Sequence, residues 1–284
     1  MASGIWLALG AMICLGVSDI IYKRGAAAGI KPHHFLVAQA WCFAPGVALY
    51  GFATGTLELK PYMLWGCGAG LFVFVALINF ARSLRSGSVS LIAPIFRLSF
   101  TITTALAVLL LGEPLGPWKI AGLGAALLAV WLLLGGDARA ASVPGAARAA
   151  LVQALVAMAS MGVANFLYKV GAATGGTPAT FIAGQASAFL PLATVHAWLS
   201  DRESLPPRAA WTHAGTTAMV FLLGLVLLFE SLKHGEASVM VPVSQMGFVV
   251  TAAYGVLFLR EPITSRKAGG LALAFGALFF LALA

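Results

Sequence analysis

IIYKRGAAAGIKP (residues 20–32) and FLYKVGAATGGTP (residues 166–178) are one phrase written twice in a chain of 284 residues. At the offset of 146 that lays Tyr22 on Tyr168, Gly16 also meets Gly162, Lys23 meets Lys169, Pro32 meets Pro178, Gln39 meets Gln185 and Pro45 meets Pro191. After a slip of two residues the match resumes at an offset of 148. It then pairs Ser83-Leu84 with Ser231-Leu232, Gly87 with Gly235, Pro94 with Pro242, Phe100 with Phe248, Glu113-Pro114 with Glu261-Pro262 and Lys119 with Lys267. The chain is an internal duplication, with a first repeat over 1–136 and a second over 137–284.

Composition says what is duplicated. Apolar residues make up 61% of the chain and charged ones 9%, against roughly 25% charged in soluble domains. The apolar residues fall in runs of about twenty, enough to cross a hydrocarbon core about 30 Å thick. Ten runs fit, at residues 3–22, 33–54, 62–82, 88–111, 116–134, 148–168, 178–199, 209–229, 237–259 and 264–283; they are numbered here as spans 1 to 10. Each repeat holds five, and an odd number sends the second repeat into the membrane from the opposite side. The expected fold is an all-α integral membrane protein of ten transmembrane helices, built as two inverted five-helix repeats. A pseudo-two-fold axis in the membrane plane is a layout of secondary transporters.

Several classes are disfavoured. The connections are short and carry no Gly-rich phosphate loop, which argues against an ATP-driven pump. Span 1 lacks a basic leader and a small-residue cleavage site, so it reads as a retained span. Cys14, Cys42 and Cys67 lie inside spans without paired metal spacing, and neither disulfide, metal nor cofactor is expected. His33, His34, His196, His213 and His234 sit near helix ends without the spacing that sets two ligands on one helix face. An integral-membrane enzyme is therefore a poor reading, and a channel gives no reason for inverted halves with matched prolines. The net charge of +8 is dispersed beside helix ends, which points to membrane orientation and not to nucleic acid.

Loop charge segregates. The connections after spans 1, 3, 5, 7 and 9 hold Lys23, Arg24, Lys31, Arg82, Arg85, Arg139, Arg148, Arg202, Arg208, Arg260, Arg266 and Lys267. Those after spans 2, 4, 6 and 8 hold Lys60, Lys119, Lys169 and Lys233. The positive-inside rule places both termini outside. The repeated phrase itself reads as a helix stop: Tyr22 and Tyr168 as interface anchors, Lys23 and Lys169 as complements to a helix C-terminus, Gly25 and Gly171 as helix ends.

The fourth span of each repeat contains a proline, in IAPIFRLSF (residues 92–100) and MVPVSQMGF (residues 240–248). Each runs into a Glu-Pro turn, LLLGEPLGPWKIAGLGAALL (109–128) or LFLREPITSRKAGGLALAFG (257–276). The pattern resembles the drug/metabolite transporter superfamily, specifically its ten-helix EamA-type members, over nearly the whole chain. The resemblance implies ATP-independent transport of small metabolites, often export of amino acids or related solutes, by a multi-pass protein of the cell inner membrane. The expected partners are a small-molecule substrate and the lipid bilayer, with a monomer as the unit. Relatives generally keep both termini in the cytoplasm, the reverse of what the loop charges favour here.

Candidate site residues follow from the cost of polar groups in lipid. Arg97 stands about nine residues into span 4, roughly 13 Å deep at 1.5 Å per residue, where an arginine costs about 2.5 to 3.5 kcal/mol and requires a partner or a wet cavity. It is read as the grip for a substrate carboxylate, the alternative being a structural ion pair with Asp19. Its repeat mate is Gln245, which keeps hydrogen bonding and drops the charge. Asp19, whose mate is Asn165, is a candidate for proton coupling if it lies beside Arg97; the alternative is an interfacial carboxylate near Lys23 and Arg24. Gln39, Asn79 and Gln185 are cavity-lining candidates, with interhelical bonding as the plainer role of each, and Tyr254 is a candidate apolar wall. Pro45, Pro94, Pro191 and Pro242 are read as kinks that let one half's gate open as the other's closes. Glu113 and Glu261 fit carboxylates at helix N-termini. The leading function is an exporter of a small carboxylate-bearing metabolite such as an amino acid, with export of organic cations or drugs as the alternative that Arg97 weakens.

Overall fold

The computed structural model describes residues 2–86, 95–134, 144–200, 206–258 and 264–284, and every element among them is helical. In chain order these are α1 (Ala2–Ala27), α2 (Pro32–Thr54), α3 (Met63–Ser86), α4 (Ser99–Leu111), α5 (Pro117–Leu134), α6 (Pro144–Ala173), α7 (Pro178–Ser200), α8 (Arg208–His234), α9 (Ala237–Gln245), α10 (Gly247–Leu257) and α11 (Ser265–Ala282). Seven stretches are long and apolar enough to cross a membrane, and three shorter apolar ones, Ile95–Leu111, Pro117–Leu132 and Ala268–Ala282, fall on the remaining expected spans. The fold is the expected one: ten spans, with span 9 made of two helices.

The repeated phrase ends its helices later than expected. α1 continues through Gly25 to Ala27 and α6 through Gly171 to Ala173. The chain turns at Gly29 and Gly175, whose φ values of 77° and 79° lie in the left-handed region that glycine enters without a Cβ clash. Gly25 and Gly171 instead make room for a ring. A Cβ on Gly25 would stand 2.7 Å from Phe35, and one on Gly171 would stand 2.4 Å from Phe181, the repeat mate of Phe35. Tyr168 is also no interface anchor, because it is buried in the core at 2% exposure with its ring edge-on to Phe181.

The prolines divide into two kinds. α2 and α7 run as continuous helices through Pro45 and Pro191, both exposed on the outer surface. One missing donor is tolerated where the rest of the backbone pairs within the helix. Span 9 does break, but at Met246 (ψ 17°), four residues past Pro242. There Met246 N–H donates to Val243 O at 3.2 Å and Val249 N–H to Met246 O at 2.9 Å, a tight turn that re-aims α10. Leu98, the mate of Met246, has ψ 1°, with Leu98 N–H to Ile95 O at 3.1 Å and Thr101 N–H to Leu98 O at 2.9 Å. Pro94 and the Glu261-Pro262 turn lie outside the described residues.

The main contacts run between the repeats. α1 packs on α8, α9 and α10; α6 packs on α3 and α4; α2 and α7 pack on each other, on α8 and on α3 respectively; α5 packs on α11. Where the first spans meet the broken ones, a Cβ on Gly16 would lie 2.6 Å from the Gly247 carbonyl oxygen, and one on Gly162 would lie 2.7 Å from that of Ser99, the mate of Gly247. Thr103 Oγ1 donates to Gly162 O at 2.9 Å, and its mate Thr251 approaches Gly16 O at 3.5 Å. The same interface is thus built twice, once by each repeat's first span against the other repeat's broken span.

All of the net charge belongs to one face. The twelve loop cations beside the odd-numbered spans meet only Asp137, Asp201, Glu203 and Glu261 in sequence, which leaves +8, the charge of the whole chain. The other face holds four lysines and four glutamates, and each lysine is engaged. Lys60 pairs with Glu58 at 2.6 Å, Lys233 with Glu230 at 2.9 Å and Lys119 with Glu236, while Lys169 donates to Leu232 O at 2.9 Å and Gly235 O at 2.6 Å. The hydrogen bond and charge of Lys60 hold the exposed Glu58 carboxyl below the usual carboxylate range. These are called the basic face and the neutral face below.

Gly16→Ala and Gly162→Ala each force a methyl group into backbone, and each is expected to cost about 1 to 3 kcal/mol by overpacking. Gly124→Ala, where nothing lies within 4 Å, serves as the control. Thermal unfolding of the detergent-purified protein should show a lowered midpoint for the first two and none for the third.

Candidate functional site

Asp19 lies eight residues before the end of α1, roughly 12 Å along the helix at 1.5 Å per residue, and Arg97 is the last residue before the turn at Leu98. Their side chains form an ion pair, Arg97 Nη2 donating to Asp19 Oδ2. The side chains are 19% and 33% exposed, which leaves them partly reachable. Removing one member of a buried pair typically costs about 3 to 5 kcal/mol, because the other charge is left without compensation. The pairing weighed from sequence as the alternative for Arg97 is thus present, and the two groups are one structural unit.

The second repeat builds the same position without charge. Asn165 on α6 and Gln245, the last residue of α9 before the Met246 turn, are the mates of Asp19 and Arg97. Asn165 is buried, and its Nδ2 has no hydrogen-bond partner among the described residues. The hydroxyls of Ser18, beside Asp19, and of Ser99 and Thr104 on α4 are also buried without partners. Buried polar atoms are rarely left unpaired; in sequence Ser18 adjoins Asp19, Ser99 stands two residues past Arg97, and Asn165 is the mate of Asp19. Sequence reasoning missed the three hydroxyls, since serine and threonine are common in membrane helices and nothing in their spacing separates them from others that bond their own helix.

The remaining candidates fall elsewhere. Gln39 accepts from Tyr22 OH and Gln185 from Tyr168 OH, so the two glutamines tie the first span of each repeat to the second. The ties are repeat-related, and the tyrosines of the quoted phrase supply both donors. Asn79 Nδ2 donates to Val75 O of its own helix at 2.8 Å. Tyr254 stands near the basic face, where it accepts from Arg24, lies 5.5 Å beneath that guanidinium and stacks on Phe258 at 5.1 Å; it links α10 to α1.

Glu113 binds a different helix from the one its sequence position suggests. Its carboxylate accepts from Ala237 N–H at 2.8 Å, Ser238 N–H at 2.9 Å and Ser238 Oγ at 2.5 Å, and so caps α9 of the other repeat in place of the α5 that follows it. Lys169 likewise closes the C-terminus of α8 and not that of its own α6. A free helix end takes whichever charged group the tertiary structure brings to it. No group of three or more His, Cys, Asp or Glu with metal-binding proximity occurs among the described residues.

An inverted ten-span bundle with two broken helices and a paired charge beside one break defines a membrane transporter of the drug/metabolite kind. The EamA-like transporter family matches the chain twice, over residues 2–135 and 148–283, and the chain belongs to that family. A solved crystal structure superposes with a TM-score of 0.84 at 17% sequence identity, covering 99% of this chain and 98% of that one, a likeness of fold. An uncharacterized protein of Methanocaldococcus jannaschii is 37% identical over 62 residues, 22% of this chain; the chain spans 45% of that relative's length.

Tyr168→Phe removes the donor to Gln185 Oε1 inside the core and is expected to lower stability by about 1 to 3 kcal/mol, the cost of an unsatisfied buried acceptor. Tyr22→Phe, at a half-buried site where water reaches Gln39 more readily, should cost less. Paired thermal-unfolding measurements in detergent check the order.

Proposed function

We propose that this transporter exports a small metabolite bearing a carboxylate, an amino acid being the best chemical fit, across the inner membrane by alternating access between its inverted repeats. The observation that carries the reading is the Arg97–Asp19 pair beside the span 4 break. A substrate carboxylate can take over the Arg97 guanidinium only if Asp19 gives it up. A carboxylate deprived of its cation in low dielectric must then find another positive charge or a proton. An α-amino acid brings both charges: its carboxylate goes to Arg97 and its ammonium to Asp19, so neither side chain is stranded. The neutral mates Asn165 and Gln245 and the buried hydroxyls supply polar contacts without a third charge.

A simple monocarboxylate has no ammonium, and its binding requires Asp19 to take up a proton. That is the second reading, carboxylate transport coupled to protons through Asp19. The ionisable groups around Asp19 are Arg97 and, one turn along α1, Tyr22, with Lys23 and Arg24 beyond and Tyr254 approaching from α10. Organic cations are disfavoured because Arg97 repels them.

Counterflow in proteoliposomes with neutral amino acids, monocarboxylates and organic cations tests the proposal. Amino acids are expected to exchange, and Arg97→Gln, matched for folded protein, should lower their exchange about tenfold to a hundredfold, the worth of a charge-assisted hydrogen bond of about 1.5 to 3 kcal/mol. Movement of cations with no movement of carboxylates sinks the reading. An imposed pH gradient separates the two versions: it drives net monocarboxylate flux only if Asp19 carries a proton, and Asp19→Asn should abolish that drive.

A further inference from the structure

Among the described residues, turns of the two repeats bond to each other on the neutral face. Glu113, in the turn after α4, caps α9 of the second repeat. Lys119 of α5 is buried at 2% exposure and donates to Pro114 O at 2.6 Å and to the Glu236 carboxylate. In the turn between α2 and α3, Thr56 O accepts from Thr177 Oγ1 at 2.7 Å and Thr180 Oγ1 at 3.2 Å, and Glu58 N–H donates to Thr180 Oγ1 at 2.7 Å. Two pairs of turns, one from each repeat in each pair, are held shut by uncharged or mutually neutralised groups.

Beneath these bonds α3 and α7 meet backbone to backbone. A Cβ on Gly66 would stand 2.0 Å from Phe181 O, one on Gly70 would stand 2.4 Å from Gln185 O, and one on Gly184 would stand 2.3 Å from Met63 O. The repeat-related contact, α8 on α2, lies toward the basic face. There the mates of Gly66, Gly70 and Gly184 are Ala214, Ala218 and Ala38. Ala38 and Ala214 pack in one apolar cluster with Ile30, Phe35 and Ala210. Three methyl groups stand where the neutral face has none, so α2 and α8 cannot close as tightly as α3 and α7.

We propose that this inequality is a built-in bias: the neutral face is the transporter's resting gate, closed by the α3–α7 glycine contact and the polar bonds above it. The alanines of the α2–α8 contact keep the opposite gate the weaker of the two. Two conformations are populated by the exponential of their free-energy difference, and three missing methyl groups at one of two repeat-related closures contribute to that difference. The bias concerns which side the site faces at rest and stands or falls independently of what the site binds, although it rests on the alternating-access reading.

Side-specific labelling tests it. With Cys14, Cys42 and Cys67 replaced by serine, a reporter thiol at the buried Ser99 (S99C) is treated in oriented vesicles with a membrane-impermeant maleimide from each side in turn. Labelling is expected from the basic face and to be slow from the neutral face. Gly70→Ala, which pushes α3 off the Gln185 carbonyl, should raise neutral-face labelling roughly tenfold for each ~1.4 kcal/mol by which it weakens that closure. If the contact is rigid scaffold present in both conformations, the variant loses thermal stability with the ratio of labelling between faces unchanged, and the proposal is overturned. Should Gly70→Ala fail to fold, Thr56→Cys with Thr177→Cys provides a second arm that leaves the glycines intact. Closing that disulfide across the two turns should abolish neutral-face labelling at position 99, and a matched sample reduced and desalted beforehand should regain it, with the label located by peptide mass mapping because the reduced thiols at 56 and 177 react as well. Neutral-face labelling that persists with the disulfide closed overturns the proposal equally.

Discussion

Two glycines with bare backbone, Gly16 and Gly162, set the architecture. Each lets the first span of one repeat lie against the broken fourth span of the other, close enough that a Cβ would sit 2.6 or 2.7 Å from a carbonyl oxygen. Lipid tails are as apolar as leucine, so helices in a membrane gain little by burying apolar surface and associate through close packing and interhelical polar contacts. The contacts between repeats use both: glycine against backbone at Gly16, Gly66, Gly70, Gly162 and Gly184, and a polar cap wherever a helix end needs one. The main packing of α1 and α6 lies in the opposite repeat, and the two repeats share one apolar core.

Charge is distributed under the same constraint. Outside the loops of the basic face, every described cation named here has an anion, carbonyl or ring as a partner, and the one pair set deep in the membrane, Arg97 with Asp19, lies beside a break in a helix. That break exposes backbone groups and turns the chain. The pair thus satisfies both charges within the bundle without exposing either to lipid. The repeat mates Asn165 and Gln245 are uncharged, which makes the two repeats chemically unequal at corresponding positions. The same asymmetry recurs in the gates, where glycine on one face is alanine on the other.

Much of this was legible before any coordinates. The offsets of 146 and 148 residues between copies, the ten apolar runs and the sorting of loop cations by face lead to ten spans in inverted halves, and the structure has that form. Other expectations moved. Gly25 and Gly171 read as helix stops because a glycine after a basic residue often is one, yet the turn falls at Gly29 and Gly175 and the earlier glycines seat Phe35 and Phe181. Pro45 and Pro191 stand inside continuous helices, while the break in span 9 falls at Met246, four residues past Pro242. Glu113 and Lys169 were assigned to their own helices and serve others.

What the sequence determined by itself is whatever depends on position along the chain: how long each apolar run is, how often the pattern repeats, which loops carry charge. Solvation by lipid acts on each segment separately, and hydropathy records it locally. Only the tertiary structure decided which side chain meets which helix end, that the pairing weighed for Asp19 and Arg97 is made, that Tyr22 and Tyr168 bond glutamines seventeen residues on, and that α3 meets α7 glycine to backbone. Those facts arise from residues far apart in the chain competing for the same few unsatisfied groups, and no local pattern encodes the outcome.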